Sequence, residues 1–302
     1  MRPLAADAIQ AARRRFAEDL RFKTRMTSQA LFAAFATVPR ERFVGPNPWL
    51  IQGWGNYWVT EEDDPRRVYH DTLIALNPVK RINNGQPSLW AYYFDQLGVR
   101  VGTHVLHLGC GTGYYSAILA ELVGPQGKVV AIEIEEDLAE RARVALVPWP
   151  QATVLCRDGA HGPFEPADFV VVSAGATHPL PDWLAAVEPA GKLLFPLTAT
   201  ENLGIMTQLT RVSATSFAAR LQGGVGFIEF HGARDPEVAI RLLDAFRHNR
   251  TSEVHSLRCD PHGRDESCWL HGAGWCFSRH DPVAAENPAP ASEVETAPMH
   301  GK

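Results

Sequence analysis

Val105-Leu106-His107-Leu108-Gly109-Cys110-Gly111-Thr112-Gly113-Tyr114 is the stretch on which the fold turns. A short apolar run of strand type ends in three alternating glycines, and the helical pattern Tyr115–Val123 follows at once. Glycine lets a backbone take unusual dihedrals and approach a ligand closely. The helix behind it presents unpaired N–H groups at its first turn. A second apolar run, Lys128–Ile134, carries Glu133 near its end, twenty residues after Gly113, where an acid serves ribose hydroxyls. A third, 152–156, leads into Arg157-Asp158-Gly159, where Asp158 can accept from an adenine amino group. On residue types alone, a plain Asp-Gly turn reads equally well there. Three such strand ends together predict a nucleoside-containing cofactor. Tyr114 occupies the place of the third glycine of a dinucleotide-binding turn, which disfavours NAD and points to S-adenosylmethionine (SAM).

Outward from this stretch, strand and helix patterns alternate at 104–108, 114–123, 128–134, 136–146, 152–156, 168–173, 180–187 and 191–197. That alternation predicts an α/β fold with a mostly parallel sheet and helices on both faces. Ile205–Val212, Phe217–Gln222 and Val225–Phe230 read as strands without intervening helices, an antiparallel addition. Upstream, residues 5–38 have helical spacing, with Thr27 and Ser28 as caps for a second helix and Pro39 as its stop. Gly45–Pro78 reads as a long lid-like loop with an acidic run at Glu61–Asp64, and 86–97 as a helix. Residues 236–247 read as a helix and 254–280 as short strands. The expected organisation is an N-terminal helical segment with its loop (1–80), a SAM-binding domain (81–232), a C-terminal extension (233–280) and a disordered tail (281–302).

The chain has 302 residues, 45% hydrophobic and 21% charged, with a net charge of −5. Lys and Arg are scattered, so the basic stripe of a nucleic-acid binder is missing. No apolar run approaches a membrane span, and Arg13-Arg14-Arg15 is not followed by a signal-type apolar core. Five cysteines without a regular framework fit a reducing cytoplasm.

Several segments, taken in order, resemble the protein-L-isoaspartate O-methyltransferases. They are Val38-Pro39-Arg40-Glu41-Arg42-Phe43-Val44, Tyr69-x-Asp71, Gln86-Pro87, the 105–114 run, Arg157-Asp158-Gly159, Ala174-Gly175-Ala176, Gly191–Pro196 and Val225-Gly226-Phe227-Ile228. The resemblance covers roughly residues 27–232. It implies a Rossmann-like SAM-dependent methyltransferase with a seven-stranded sheet and N-terminal helices. It further implies that Gly109, Gly111 and Gly113 lie against SAM, Glu133 against its ribose, and Asp158 with Gly159 near its adenine. Gln86, Pro87, His107 and Cys110 complete the expected cofactor-binding set; within its strand, His107 reads as a neutral, packed histidine.

One departure stands out. The family carries Thr-Ile-Ser-Gln-Pro, with the serine near the substrate carboxylate; here Asn83-Asn84-Gly85-Gln86-Pro87-Ser88 puts Gly85 in that place. Asn83 and Asn84 can donate amide hydrogens to a carboxylate, and Ser88 adds a hydroxyl one helical turn on. Asn83, Asn84, Gly85 and Ser88 are therefore the expected substrate-binding residues, although the segment also reads as a turn with a helix cap. No catalytic residue is assigned, because a carboxylate acceptor is already ionised at neutral pH. The expected activity is methylation of an Asp or isoAsp side-chain carboxylate in a peptide or protein. Gly85 and the segment beyond 232 favour a dedicated Asp over general isoaspartate repair. The alternatives are a non-catalytic SAM-binding protein and a methyltransferase for a small molecule or nucleic acid. The latter is weakened because Ser173-Ala174-Gly175-Ala176 stands where an amine-reading motif would be. Near the C-terminus, Cys259-x-x-His262 and Cys268-x-x-His271, with His255 and Cys276 nearby, suggest zinc by residue type. Burial is the preferred reading of that segment, and no metal is assigned.

Overall fold

Along the central strands, alternate side chains enter two different cores, and the chain supplies helices to cover both. The computed structural model describes residues 6–53, 56–60, 64–248 and 250–284. The N-terminal part contains helices α1 (Ala6–Thr24) and α2 (Gln29–Thr37), the short strands β1 (Leu50–Gln52), β2 (Tyr57–Val59), β3 (Ala75–Asn77) and β4 (Ile82–Asn83), and helix α3 (Pro87–Leu97). The alternating part is β5 (His104–Leu108), α4 (Tyr114–Val123), β6 (Lys128–Glu133), α5 (Glu136–Leu146), β7 (Ala152–Cys156), β8 (Ala167–Val172), α6 (Pro181–Ala186) and β9 (Val187–Thr200). Then come β10 (Leu203–Arg211), β11 (Ser216–Val225), α7 (Pro236–Arg247), β12 (Ser256–Arg258), β13 (Cys268–Gly272) and β14 (Trp275–Ser278).

Ten strands form one sheet in the order β13-β14-β12-β11-β10-β9-β8-β5-β6-β7. The pairings β5–β6, β5–β8, β6–β7 and β8–β9 are parallel. From β9 outward all are antiparallel. The sheet therefore has ten strands where the family resemblance implied seven: β7 to β11 are seven, and β12–β14 extend it by three. The chain winds from β5 out to β7 and returns to β8 on the other side of β5. This reversal opens a crevice at the carboxyl ends of β5, β6 and β8, where ligands bind in such sheets.

Val105, Val171 and Leu194 belong to a core roofed by Phe16, Phe35, Trp90 and Ile118 from α1 to α4. Their neighbours Leu106, Val170, Val172 and Leu193 belong to a second core covered by Trp183 of α6 and Leu242 of α7. This is the two-sided burial that makes parallel strands read as continuous apolar runs. Ser28 caps α2 by accepting from the Leu31 N–H at 3.1 Å. Gly98, in the left-handed region at φ 70°, ends α3.

Two expectations are corrected. Val225–Phe230 is strand at Val225, with a single parallel bridge from Glu229 to Gly175. The Phe227 N–H donates to Glu201 O, and Ile228 O and the Phe230 N–H bond to Gly175, so the segment crosses the strand ends instead of pairing along one. Gly45–Pro78, expected as a loop, contains the β1–β2 hairpin and β3, and its end is anchored from below. The fully buried Arg40 donates from Nη1 to Val68 O (2.7 Å) and His70 O (2.6 Å), and from Nη2 to Thr72 O (2.7 Å). Residues 61–63 of the acidic run, and 285–302 of the expected tail, lie outside the described residues. Among the described residues, no helix is long and apolar enough to cross a membrane.

Candidate active site

A cavity of about 780 Å³ opens at the switch between β5 and β8, of a size to take a nucleoside cofactor with room for part of an acceptor. Its floor is the glycine turn. Gly109, Gly111 and Gly113 have φ of 73°, 57° and 89°, so each takes a backbone conformation that a side chain would strain. Gly109 and Gly111 line the cavity; Gly113 does not. A Cβ on Gly113 would lie 2.9 Å from Leu146 Cδ1, so this glycine serves the close packing of α4 on α5 instead of cofactor contact.

Glu133, at the end of β6, is 6% exposed. Its Oε2 accepts from the Gly111 N–H (2.7 Å), and its Oε1 accepts from the N–H groups of Ile134 and Glu135 (3.0 Å each). Burial pushes its carboxyl above the ordinary range, against the lowering by these three donors. A carboxylate offers about four acceptor positions, so the turn takes three and leaves one open. Asp158 also lines the cavity. Its Oδ1 accepts from the Ala160 N–H at 2.8 Å, which makes the Asp-Gly turn real, and its Oδ2 lies 4.0 Å from His161 Nε2. Beside it, a Cβ on Gly159 would lie 3.0 Å from the Phe230 ring, so glycine lets this wall close.

His107 touches the cavity but is 1% exposed and held between two hydroxyls. Its Nδ1 is 2.8 Å from Ser116 Oγ and its Nε2 2.9 Å from Ser173 Oγ. Burial pushes its pKa down to about 3, so it is neutral and structural at physiological pH. In the unfolded chain its pKa is near 6.5, so between these values the unfolded state binds the extra proton. Its contribution to stability is present above pH ~6.5 and is lost as pH falls towards 3, at about 1.4 kcal/mol per pH unit. Chemical unfolding of the wild type and of His107→Gln across this window should show a shallower acid slope in the variant. Equal slopes would refute the assignment.

Asn83, Asn84, Gly85 and Gln86 line the opposite wall, while Pro87 and Ser88 do not. Pro87 is the buried first residue of α3. The Ser88 N–H donates to Asp71 Oδ1 at 2.8 Å, and Lys23 pairs with the same carboxylate. Burial raises the Asp71 carboxyl, but Lys23 and Ser88 outweigh it and leave it lowered. Ser88 therefore helps anchor α3 and lies away from the cavity. Asn83 Oδ1 accepts from the Gly85 N–H at 2.9 Å and shapes the turn. Asn84, 7% exposed, accepts on Oδ1 from the Ile74 N–H at 2.8 Å. Its Nδ2 is buried and has no hydrogen-bond partner among the described residues.

Gly85 has φ 72°, and a Cβ there would lie 2.6 Å from Trp90 Nε1 and 3.2 Å from Tyr115 Cε2. The Tyr115 hydroxyl donates to Gly85 O at 3.0 Å. Indole and phenol thus occupy the space a side chain would need. Trp90, Tyr115, Tyr57, Arg81 and Glu201 all line the cavity without having been expected from sequence. Aromatic residues in a helix read as core, and nothing in their spacing says that they also face a ligand. The 81–201 ion pair (2.8 Å) joins positions 120 residues apart, which no local pattern can reveal.

A doubly wound sheet with a Gly-x-Gly-x-Gly turn, a pinned acid at the end of the second strand and an Asp at the end of the third is the architecture of a SAM-dependent methyltransferase. The protein-L-isoaspartate(D-aspartate) O-methyltransferase family model matches residues 11–234. The protein-L-isoaspartate O-methyltransferase of Methanothermobacter thermautotrophicus is 31% identical over 225 residues, covering 73% of this chain and 95% of the relative. That of Aeropyrum pernix is 31% identical over 238 residues, covering 76% and 84%. Among solved structures, a protein-L-isoaspartate O-methyltransferase superposes with a TM-score of 0.62 at 22% identity, covering 78% of this chain and 69% of that one. A Plasmodium falciparum beta-aspartate methyltransferase structure in complex with S-adenosyl-L-homocysteine gives 0.59 at 14% identity, covering 73% and 98%. The chain belongs to the protein-L-isoaspartate(D-aspartate) O-methyltransferase family and is a SAM-dependent enzyme. Glycine turn, cavity size and pinned Glu133 fit that cofactor.

Proposed function

We propose that this enzyme, working in the cytoplasm, methylates a side-chain carboxylate of a peptide or protein, and that its acceptor is a dedicated aspartyl residue. The carrying observation is Asn84: the residue lines the cavity next to Gly85, and its buried amide N–H donor has no hydrogen-bond partner among the described residues. Such a donor is costly to bury unused and is suited to an anionic oxygen. SAM, when bound, supplies an electrophilic methyl group on a sulfonium. The chain supplies placement and dryness. Gly109 and Gly111 allow close approach, Glu133 and Asp158 each keep an acceptor position for the nucleoside, and Asn84 holds the acceptor carboxylate. Trp90 and Tyr115 help exclude water. Because the acceptor is ionised already, no base is needed, and positioning carries much of the acceleration. The filled space at Gly85 leaves no place for the family's serine hydroxyl, which favours an acceptor other than the general repair substrate. The net charge of −5 argues against nucleic acid, and the five unpaired cysteines support a reducing compartment.

The test uses labelled SAM with two synthetic peptides of one sequence, carrying Asp or isoAsp, and with proteins from the producing cell. Base-labile methyl ester should form, with isoAsp a poor acceptor. Turnover of isoAsp at the rate of a repair enzyme would overturn the dedicated-substrate reading. Base-stable label only would overturn carboxylate methylation altogether.

A further inference from the structure

We infer that the C-terminal extension holds a structural zinc ion on His262, Cys268, His271 and Cys276, at the sheet edge farthest from β7. One ligand atom from each of these residues lies within 4.8 Å of all the others. Tetrahedral zinc with Zn–S near 2.3 Å and Zn–N near 2.0 Å places its ligand atoms about 3.3–3.8 Å apart, so small side-chain adjustments close the set. Cys268 Sγ and His271 Nδ1 already lie 3.8 Å apart.

The backbone builds this quartet in a way residue spacing does not show. Residues three apart on a regular strand face opposite sides of a sheet, so Cys268 and His271 should diverge. The β13–β14 register shifts between Cys268 and Leu270, inserting one extra residue, Trp269. This bulge reverses the parity and brings Cys268 to the face of His271. Cys276 stands directly opposite His271 across the hairpin, and directly opposed residues share a face. The fourth ligand comes from the loop between β12 and β13. There His262 Nδ1 lies 2.8 Å from Asp260 O, and a carbonyl only accepts, so the proton sits on Nδ1. Nε2 is then the lone-pair nitrogen, and it is buried without a hydrogen-bond partner among the described residues. A histidine oriented by a carbonyl on one nitrogen and bare on the other is the usual form of a zinc ligand. Cys268 Sγ accepts from the Asp265 N–H at 3.4 Å and lies 3.6 Å from Asp265 Oδ1.

Two thiolates and two imidazoles form a closed set suited to zinc, with no position left for a substrate. The ion would tie the 259–267 loop to the β13–β14 hairpin. Cys259 is excluded from the set although its C-x-x-H spacing singles it out in the sequence. Cys276, from the neighbouring strand, takes its place.

Full-length protein produced with zinc and passed over a weak chelator should retain about one zinc per chain. Cys276→Ser should lose most of it, while Cys259→Ser should keep it. Wild-type protein refilled with cobalt should show the intense visible bands of a tetrahedral ion and thiolate-to-cobalt charge transfer, a readout that needs no variant. SAM binding by each variant reports whether the remainder of the fold is intact. Zinc far below one equivalent in the wild type, a weak six-coordinate cobalt spectrum, or loss of metal from folded Cys259→Ser would overturn the inference.

Discussion

Asn84→Asp should lower kcat/KM for the peptide acceptor by on the order of 10³-fold, because like-charge juxtaposition costs several kcal/mol. SAM affinity should change far less. The substitution is isosteric, and the new carboxylate still accepts from the Ile74 N–H, which is 2.8 Å from Oδ1 in the parent. The unpartnered Nδ2 donor is what disappears, replaced by an oxygen that repels an anionic acceptor. Asn84→Ala is the less informative variant, since it also strands the buried Ile74 N–H at a cost of about 1–3 kcal/mol. The variant carries its own pH signature. Burial raises a carboxyl pKa, and a protonated Asp regains an O–H donor. Activity of Asn84→Asp relative to wild type should therefore rise as pH falls. Steady-state kinetics over pH, with SAM affinity measured by calorimetry, checks both statements. Near-normal kcat/KM at neutral pH would remove Asn84 from the acceptor site.

Gly85→Ser should not convert the enzyme towards the family's usual pattern; it should damage it. The serine Cβ would sit 2.6 Å from Trp90 Nε1 and 3.2 Å from Tyr115 Cε2, at a φ of 72°. Neither ring has room to retreat. Trp90 is 1% exposed and Tyr115 5%, and Trp90 packs against Phe94 and Tyr115 at 5.4 Å and Phe227 at 6.0 Å between centroids. Overpacking costs about 1–3 kcal/mol and the left-handed backbone about 1 kcal/mol more. The sum of roughly 2–4 kcal/mol corresponds to a fall in Tm of about 3–6 °C in a chain of this size. Methyl transfer should fall with it, since Trp90 and Tyr115 wall the cavity. Thermal unfolding and the two-peptide assay read both effects. A Gly85→Ser protein that is as stable as the parent and gains isoAsp turnover would show that Gly85 is a simple loss of serine, without the aromatic rebuilding described above.

That Gly109, Gly111, Glu133 and Asp158 share one cavity was legible because they stand on short segments at strand ends. Gly109, Gly111, Glu133 and Asp158 are each read from a few neighbouring residues, and the doubly wound sheet brings those ends together by rule. Gly113 shows where that logic stops. Its glycine is equally visible, but whether it faces SAM or Leu146 depends on how α5 packs. Ser88 was placed near the acceptor from its position one turn past Gly85, yet its N–H is bound to Asp71, a partner 17 residues away.

Apolar period, glycine turn and strand-end acids, all local features, were enough by themselves for the fold class and the cofactor, and the family followed from the resemblance of short motifs spread over residues 27–232. Long-range packing alone decided the rest: the three strands added to the sheet, the aromatic filling behind Gly85, the anchoring of residues 68–72 by Arg40, and the exchange of Cys259 for Cys276. Each depends on side chains distant in sequence, or on a one-residue register shift, meeting within a few ångströms. Spacing along the chain carries no information about such meetings, because only the closed fold fixes which faces oppose one another.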